Sequence, residues 1–341
     1  MRSLFIRKYG GPEVLELRTL PDPLPARGEV RIRVERAGLN YADIAARMGV
    51  YPDAPKPPMV VGYEVSGRVD AVGEGVEGVK TGARVFALTS FKGQSDVVCV
   101  PKSAVFPIPE GVDFDAAAAM PVNYLTANHL LFAVGNIKPG AKVLLHMAAG
   151  GVGFAVLELL RTVGSVEVFG TASASKHEAL RAAGVAHPID YRTQDYASEV
   201  RRITGGQGVQ LVLDPLGGPD WRRGYRLLAP GGQLIAYGWS NLSPGTRRNV
   251  GRVVGQYFQM PRFSPLQLMD DNRTVSGVNL GRLWDRAEIV LPQMQKLSAL
   301  LGSGAVKPRV DKVFALSEGV EAHRYIHERR NMGKVLFDCT R

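Results

Sequence analysis

The sequence predicts an α/β protein of two domains, one rich in β-strands and one built on a doubly wound parallel sheet. Three observations lead to this prediction. The chain has 341 residues, which is more than a typical single domain. Residues 1–110 consist of short β-type segments separated by turns, whereas residues 143–278 alternate between strand-like and helix-like patterns. Regular alternation of strands and helices is typical of a parallel sheet covered by helices.

Three segments indicate the β-rich domain. Residues 28–34 alternate as a strand, residues 60–72 form a β-type run that contains glycines, and residues 83–88 resume after a Thr-Gly turn. A helical pattern that is interrupted by Pro121 follows. We place the boundary between the two domains near Asn123, within this helical region.

The parallel sheet of the second domain is predicted from five strand-like runs. These are residues 143–147, 166–169, 211–214, 233–237 and 274–278. The tail of the chain then predicts helices at 284–301 and 318–329 and strands at 312–315 and 334–337. Because these last strands can rejoin the first domain, that domain is expected to be discontinuous. The predicted domains are residues 1–122 with 300–341, and residues 123–299.

Composition and charge argue against several classes of protein. With 45% hydrophobic and 22% charged residues the chain resembles an ordinary globular protein, and no stretch approaches the roughly 20 apolar residues of a membrane span. The first residues lack the apolar core of a signal peptide, so we expect a cytoplasmic protein. The formal charge of +10 is spread over short basic groups, which favours a solvated surface over a DNA-binding tract.

The cysteine and histidine patterns do not predict a metal site. Cys99 and Cys339 each lack a Cys or His neighbour at metal spacing, so neither a disulfide framework nor a structural zinc site is expected. His323 and His327 are spaced to share one helix face, but no Glu follows the first and no third ligand is near. We interpret both as side chains of a solvated helix.

A glycine-rich turn in the second domain predicts a dinucleotide site. The apolar run 143–147 is followed at once by Ala-Ala-Gly-Gly-Val-Gly, residues 148–153, and then by the helical run 154–160. Glycines permit the tight turn and let backbone N–H groups at the helix start approach a pyrophosphate, where the helix dipole favours negative charge. A strand before the turn and a helix after it make this signal specific. The predicted pyrophosphate residues are Gly150, Gly151, Val152 and Gly153.

The end of the next strand favours NADPH over NADH. An NAD enzyme usually has Asp or Glu there, to bind the ribose 2′-hydroxyl. Here the strand ends at Thr171-Ala-Ser173, without an acid. Ser175 and Glu178 have the spacing of a capping box, which would place Lys176 in the first turn of a helix. A cation and a hydroxyl at a helix start suit a 2′-phosphate. The alternative is an ordinary surface lysine, although a lysine in a first turn is unfavourable unless an anion balances it.

Several short segments carry a resemblance to a known family. They are Gly38-Leu-Asn-Tyr-Ala-Asp43, Ala71-Val-Gly-Glu-Gly-Val76, Gly82-Ala-Arg-Val85, residues 146–153 and Gly333-Lys-Val-Leu336. Together they resemble the medium-chain dehydrogenase/reductase superfamily, in its quinone oxidoreductase branch. Residues 168–180, 187–191 and 214–218 are similar to the vesicle amine transport protein 1 homologue group of that branch. The resemblance covers essentially the whole chain, and it implies a GroES-like catalytic domain and a Rossmann domain that binds NADPH.

The same resemblance implies hydride transfer without zinc. Zinc members of the superfamily have a thiolate where this chain has Asn40 and Tyr41, and a Gly-His-Glu where this chain has Gly62-Tyr63-Glu64. The resemblance places the substrate cleft between the domains, with Asn40, Tyr41, Tyr51 and Tyr63 on the catalytic side. Tyrosine and asparagine can donate hydrogen bonds to an oxygen that gains negative charge, in place of a metal. The alternative for each tyrosine is a packed residue with a satisfied hydroxyl.

The resemblance also extends the predicted cofactor site beyond the glycine turn. The added residues are Asn40, Thr126, Ser173, Lys176, Tyr191, Gly238, Trp239, Asn331 and Lys334. Of these, Ser173, Lys176 and Tyr191 are expected around the adenosine phosphate, and Asn331 and Lys334 near the nicotinamide half. Residues 241–267 are basic and aromatic and depart from simpler quinone reductases, so the resemblance does not supply a substrate.

The leading hypothesis is an enzyme that reduces a quinone or an α,β-unsaturated carbonyl compound with hydride from NADPH. The alternative is an NADPH-binding protein without catalysis that binds a lipid or membrane surface or RNA. The charge of +10 and the basic segment 241–267 motivate that alternative. The resemblance also implies a homodimer that pairs sheet edges through the last strand of the parallel sheet, residues 274–278.

Overall fold

The computed structural model describes residues 1–242, 251, 255 and 258–341. These residues form two compact units. The first unit contains Met1–Leu125 and Gly281–Arg341, and the second lies within residues 126–280. The described strands form two sheets in the first unit and one in the second, and each unit has its own apolar core.

Strands and helices of the described residues are numbered in chain order. The strands are β1 Arg2–Ile6, β2 Leu15–Thr19, β3 Glu29–Leu39, β4 Met59–Val60, β5 Glu64–Val72, β6 Arg84–Leu88, β7 Val97–Pro101, β8 Val105–Pro107, β9 Lys142–Leu145, β10 Glu167–Ala172, β11 His187–Asp190, β12 Val209–Asp214, β13 Leu228–Ala236, β14 Thr274–Gly277, β15 Val310–Ala315 and β16 Lys334–Asp338. The α-helices are α1 Tyr41–Arg47, α2 Phe114–Ala119, α3 Pro121–Asn128, α4 Gly151–Leu160, α5 His177–Ala182, α6 Tyr196–Ile203, α7 Pro219–Tyr225, α8 Pro265–Asp271, α9 Ala287–Gly302 and α10 Gly319–His327.

The first unit is built on a sheet in the strand order β15-β16-β3-β5-β6-β8, with β7 also paired to β3. Val30 and Ile32 of β3 are fully buried and Arg33 is exposed, which is the alternation of a strand with one face on the core. β16 pairs antiparallel with β3, so both ends of the chain build this sheet. That pairing brings Lys334 to the end of β3, beside Asn40.

The second unit is built on a parallel sheet in the order β11-β10-β9-β12-β13-β14. The order reverses between β9 and β12, which defines a doubly wound sheet with its ligand crevice at that point. Val143 and Leu144 of β9 and Val212 and Leu213 of β12 are all fully buried, as expected for central strands with helices on both faces. The predicted fold class, one β-rich domain and one doubly wound parallel-sheet domain, is confirmed.

The bounds of the two units differ from the predicted domains. The first division lies between Leu125 and Thr126, close to the boundary placed near Asn123. The second lies at Gly281, so α9 belongs to the first unit, whereas residues 123–299 were assigned to the second domain. The periodicity of a helix shows which of its faces is apolar, but it does not show which sheet that face covers.

The prediction that His323 and His327 lie on a solvated helix is wrong. His323 is 0% exposed and its Nε2 lies 3.1 Å from Gln94 Oε1. His327 is also buried, and its Nδ1 lies 2.9 Å from a guanidinium nitrogen of the fully buried Arg47. Both histidines lie on the face of α10 that carries the buried Ile326. The i, i+4 spacing therefore belongs to the side of the helix that faces the core. A buried imidazole is tolerated there because it is hydrogen-bonded.

Candidate cofactor and acceptor sites

The turn between β9 and α4 has the geometry of an anion site. Gly150 precedes the first turn of α4 with extended backbone angles, and no described side chain caps the helix or adds an acid to its first turn. Its first N–H groups therefore point at the space beyond the turn, where the helix dipole favours negative charge. Gly153 is required by packing, since a Cβ there would lie 2.2 Å from the carbonyl oxygen of Ala148. Met147 enters the turn with a φ of 53°, a conformation that is costly for a residue with a side chain.

The parallel sheet brings most of the predicted cofactor residues to one edge. Ser173 follows β10, Tyr191 follows β11, and Gly238 with Trp239 follows β13. In a parallel sheet these strand ends lie on the same side as the end of β9, and hence on the side of the glycine turn. Trp239 is 47% exposed and Tyr191 is 40% exposed, so both rings are accessible from solvent. Thr126 lies in α3 and is buried.

The end of β10 provides a hydroxyl and a cation without an acid. Ser173 is buried, and its Oγ lies 3.3 Å from Ser175 Oγ. Lys176 is the residue that precedes α5. The predicted capping box is wrong, because Ala174–Lys176 form a 3₁₀ turn and the side chain of Ser175 faces Ser173 instead of the helix start. A short turn replaces the helical first turn, so Lys176 lies immediately before the N-terminus of α5.

In the first unit, Asn40 is held by two charged groups. Its Oδ1 accepts a hydrogen bond of 2.7 Å from the Lys334 ammonium, and its Nδ2 donates to Glu64 Oε1 at 2.9 Å. Lys334 also donates to Glu64 Oε1, and these two side chains are 3% and 0% exposed. The orientation of the Asn40 amide is therefore set, since a flipped amide would place its NH₂ group against the ammonium. Glu64 is the acceptor for one of the two Nδ2 hydrogens, so among the described contacts the other hydrogen can serve a ligand.

Glu64 is a site residue that the sequence analysis did not single out. Its second oxygen accepts a hydrogen bond of 2.6 Å from the backbone N–H of Val122, so both oxygens are used. The close approach depends on Gly38, where a Cβ would lie 2.4 Å from Glu64 Oε1. The signal for Glu64 in the sequence is the Gly62-Tyr63-Glu64 string itself, in which a carboxylate directly follows a predicted acceptor residue.

The Asp43 carboxylate is hydrogen-bonded to both of the turns that carry the predicted acceptor residues. One carboxylate oxygen accepts from the backbone N–H of Asn40 at 2.8 Å, and the other from that of Gly62 at 2.8 Å. Burial raises the pKa of Asp43 to about 7, although these hydrogen bonds and Lys334 oppose the rise. The spacing from Asn40 to Asp43 is that of a capping box, a signal that could have identified this residue from the sequence.

The three predicted tyrosines occupy different environments. Tyr41 begins α1 and packs at the edge of the core, and Tyr51 is half-buried in the loop after α1. Tyr63 is 3% exposed, and no described residue makes a hydrogen bond to its hydroxyl. Burial raises the pKa of Tyr51 to about 12 and that of Tyr63 further. Both hydroxyls stay protonated at neutral pH and are hydrogen-bond donors.

Asn331 and Lys334, which were predicted to lie near the nicotinamide, both make hydrogen bonds within the first unit. Asn331 donates from Nδ2 to the carbonyl of Gly333 at 2.9 Å. Lys334 holds Asn40 and Glu64, as described above, so an effect of Lys334 on a ligand would be transmitted through Asn40. In the described parts of the chain no group of three or more His, Cys, Asp or Glu side chains is placed to hold a metal ion.

Two protein-family models match the chain. The model described as an alcohol dehydrogenase GroES-like domain matches residues 26–110, and the model described as a zinc-binding dehydrogenase matches residues 183–336. Together with the β-rich unit and the doubly wound sheet, they define an oxidoreductase of the medium-chain dehydrogenase/reductase superfamily.

Individual relatives show to which family of that superfamily the chain belongs. The synaptic vesicle membrane protein VAT-1 homolog of Homo sapiens is 44% identical over 338 residues, which cover 98% of this chain and 86% of that protein. A quinone oxidoreductase of Pseudomonas aeruginosa is 32% identical over 330 residues, 96% of each chain. The chain belongs to the VAT-1 homolog family within the superfamily, and the predicted resemblance is confirmed.

Solved structures agree with the fold. The Escherichia coli quinone oxidoreductase, solved in complex with NADPH, has a TM-score of 0.87 and 27% identity, with 99% of this chain and 100% of that chain covered. The CurK enoyl reductase has a TM-score of 0.84 and 27% identity, with 99% and 98% covered.

Proposed function

We propose that this protein is an NADPH-dependent reductase whose acceptors are quinones or α,β-unsaturated carbonyl compounds (enones). The observation that carries the proposal is the pairing of an uncapped, glycine-built helix N-terminus at α4 with an acid-free end of β10 that presents Ser173 and Lys176. The similarity to a quinone oxidoreductase solved with NADPH and to an enoyl reductase supports it.

NADPH is the cofactor, and residues of the second unit bind it. The backbone N–H groups of residues 151–153 hold the pyrophosphate, as the geometry of the α4 start allows. Ser173 and Lys176 bind the 2′-phosphate, and the exposed ring of Tyr191 lies on the same edge of the sheet. A carboxylate at the end of β10 would repel that phosphate. The absence of an acid there therefore favours NADPH binding, as the presence of Lys176 does.

When bound, NADPH supplies the hydride. The acceptor oxygen then gains negative charge, and donors that are already oriented stabilise it without reorganisation. Asn40 offers its remaining Nδ2 hydrogen and Tyr51 offers a protonated hydroxyl, whereas the hydroxyl of Tyr63 is closed to solvent. Because the pKa of Tyr51 is raised to about 12, its hydroxyl acts as a hydrogen-bond donor, and the final proton comes from solvent.

A second candidate function rests on three exposed apolar side chains near the basic segment. Leu266 and Met269 of α8 are 72% and 70% exposed, and Phe258 is 82% exposed. Exposed apolar side chains beside basic residues are typical of a surface that docks on an anionic membrane. The relatives named as vesicle membrane proteins agree with an NADPH-binding protein of this kind, although no helix of the described residues is long and apolar enough to cross a membrane. Much of the basic segment, including Arg247 and Arg248, lies outside the described residues.

The first experiment separates cofactor binding from turnover. Purified protein is titrated with NADPH and with NADH, and oxidation of the preferred cofactor is then followed with menadione and with methyl vinyl ketone. We expect Lys176→Ala to weaken NADPH binding about 10- to 100-fold and to change NADH binding less than about twofold, because one charge-assisted contact to the phosphate is lost. Arg181→Ala is the matched control, since Arg181 is exposed on the same helix and outside the proposed site.

Each outcome has a distinct meaning. Turnover of either acceptor with a selective loss in Lys176→Ala supports the reductase. Equal binding of NADPH and NADH would contradict the cofactor assignment. Tight NADPH binding without turnover, together with salt-sensitive sedimentation with vesicles that contain phosphatidylserine, would favour the membrane-binding candidate.

A further inference from the structure

The loop after β6 contains two neighbouring residues in an unfavourable backbone conformation. Phe91 has a φ of 67° and Lys92 a φ of 64°. Residues with a Cβ rarely adopt this left-handed region, because the side chain then crowds the following carbonyl. Such conformations persist only where the surrounding structure requires them, and they are enriched at binding and catalytic sites.

Hydrogen bonds hold this loop against the backbone beside Tyr63. Lys92 N donates to the carbonyl of Val60 at 3.1 Å, and the Thr89 hydroxyl donates to the carbonyl of Gly62 at 2.8 Å. Thr89 N donates to the carbonyl of Tyr63 itself at 2.9 Å. The loop and the turn approach each other closely at Gly62. A Cβ at this position would lie only 2.5 Å from Gln94 N. The loop and the Gly62–Tyr63 turn therefore form one rigid piece.

The strained turn places the Phe91 ring against Tyr63. The two ring centroids are 5.3 Å apart, and the Tyr51 ring lies on Tyr63 at 6.3 Å with an angle of 66°. Tyr51 and Phe91 are only half-buried, whereas Tyr63 is 3% exposed. The three rings form an aromatic trough in which Tyr51 and Phe91 are the outer members and Tyr63 is the inner one. In the described structure the Tyr63 hydroxyl has no hydrogen-bond partner.

We propose that Phe91 is a specificity-determining residue that selects planar ring-bearing acceptors over acyclic ones. The inference rests on the proposed reductase function and names the acceptor shape that this site favours. A flat conjugated ring stacks edge-to-face or offset against the half-buried Tyr51 and Phe91 rings, and its carbonyl oxygen accepts from Asn40 or Tyr51, as proposed above, because the Tyr63 hydroxyl is closed to solvent. An acyclic enone takes the same hydrogen bond but gains nothing from the Phe91 ring. The proposal also explains why two left-handed residues occur here: their backbone conformation holds the Phe91 ring in position.

The test compares two acceptors in two variants of the strained turn. Phe91→Leu keeps the residue apolar, with the same backbone cost, and removes the aromatic face. We expect it to lower kcat/KM for menadione about 3- to 10-fold, the range of one aromatic contact, and to change kcat/KM for methyl vinyl ketone less than about twofold. Lys92→Gly is the control: it relieves the left-handed conformation at an exposed position, so it should leave the ratio of the two kcat/KM values unchanged.

Other results would overturn the inference. An equal loss for both acceptors in Phe91→Leu, or no loss for menadione, excludes a role in specificity. If the wild type reduces neither acceptor, the proposed reductase function fails, and equilibrium binding of naphthol, which accepts no hydride, decides about the trough. Naphthol binding that is weakened by Phe91→Leu and not by Lys92→Gly supports it. Absent or unchanged binding overturns it.

Discussion

Glu64 and Lys334 form a buried ion pair that positions Asn40 from both sides of its amide group. The two charges are separated by 270 positions in the chain and are almost completely removed from water. A buried pair of this kind is not itself a strong source of stability, but the loss of one partner leaves an uncompensated charge in the interior. The Glu64 oxygens also accept from Asn40 and from the N–H of Val122, so the carboxylate organises three donors.

We therefore expect Glu64→Gln to destabilise the protein by about 3–5 kcal/mol, because Lys334 loses its counter-charge. The double variant Glu64→Gln/Lys334→Met should cost less than the sum of the two single variants, since no buried charge remains. Equilibrium unfolding in urea measures both values.

The exposed pair of Asp53 and Arg282 provides the matched control. The Arg282 side chain is 68% exposed, and its Nη2 lies 2.8 Å from Asp53 Oδ1. Asp53→Asn should cost less than about 1 kcal/mol, because water screens this pair. Equal costs for Asp53→Asn and Glu64→Gln would show that burial does not determine the role of Glu64.

At the scale of elements, the junction of β9 and α4 has no room for added volume at position 153. The helix begins close to the end of the strand, and glycine at position 153 permits this approach. The added methyl of Gly153→Ala would meet the Ala148 carbonyl oxygen at 2.2 Å, so the start of α4 must move away. The first N–H groups of the helix would move with it.

We expect Gly153→Ala to lower stability by about 1–3 kcal/mol, as overpacked substitutions do, and to weaken NADPH binding in addition. Thermal unfolding and a fluorescence titration with NADPH are the two measurements. Gly277→Ala in β14 is the control, because no described atom lies within 4 Å of a Cβ at that position and its φ is not left-handed. A loss of NADPH affinity in Gly277→Ala as large as that in Gly153→Ala would contradict the packing argument.

At the scale of the whole molecule, β14 is the edge strand at which the sequence predicts contact between two copies of the chain. Among the described strands β14 pairs with β13 alone, so one row of its backbone N–H and C=O groups is unpaired. An edge strand of this kind invites pairing with a second sheet, and a twofold axis would join two such edges. The homodimer expected from the sequence therefore stays a prediction with a defined interface.

Light scattering at micromolar concentration should give twice the chain mass of 36.9 kDa. Thr274→Lys should shift the protein toward the monomer, because it places a charge at an exposed position of this edge. Gln207→Lys adds the same charge at an exposed position away from β14 and should leave the dimer unchanged. A wild type that scatters only as a monomer would contradict the prediction.

Much of the second unit could be predicted from the sequence, because its signals are local. The glycine turn, the strand before it and the helix after it lie within residues 142–160, and the acid-free end of β10 is contiguous with Lys176. The backbone conformation of glycine and the periodicity of apolar residues depend on only a few neighbouring positions. Both can therefore be recognised in the sequence. The family resemblance added Asn40 and the tyrosines by matching short motifs.

Only the tertiary structure decided which distant residues complete these motifs. The pairing of β3 with β16 brings Lys334 to Asn40 and Glu64, and no periodic pattern encodes that register. The burial of His323 and the placement of Phe91 against Tyr63 likewise depend on packing between elements far apart in the chain. Local backbone preferences determined the class of fold and the cofactor turn, whereas desolvation and packing, which act only in the folded chain, determined the charge environment of Asn40 and the aromatic surroundings of Tyr63.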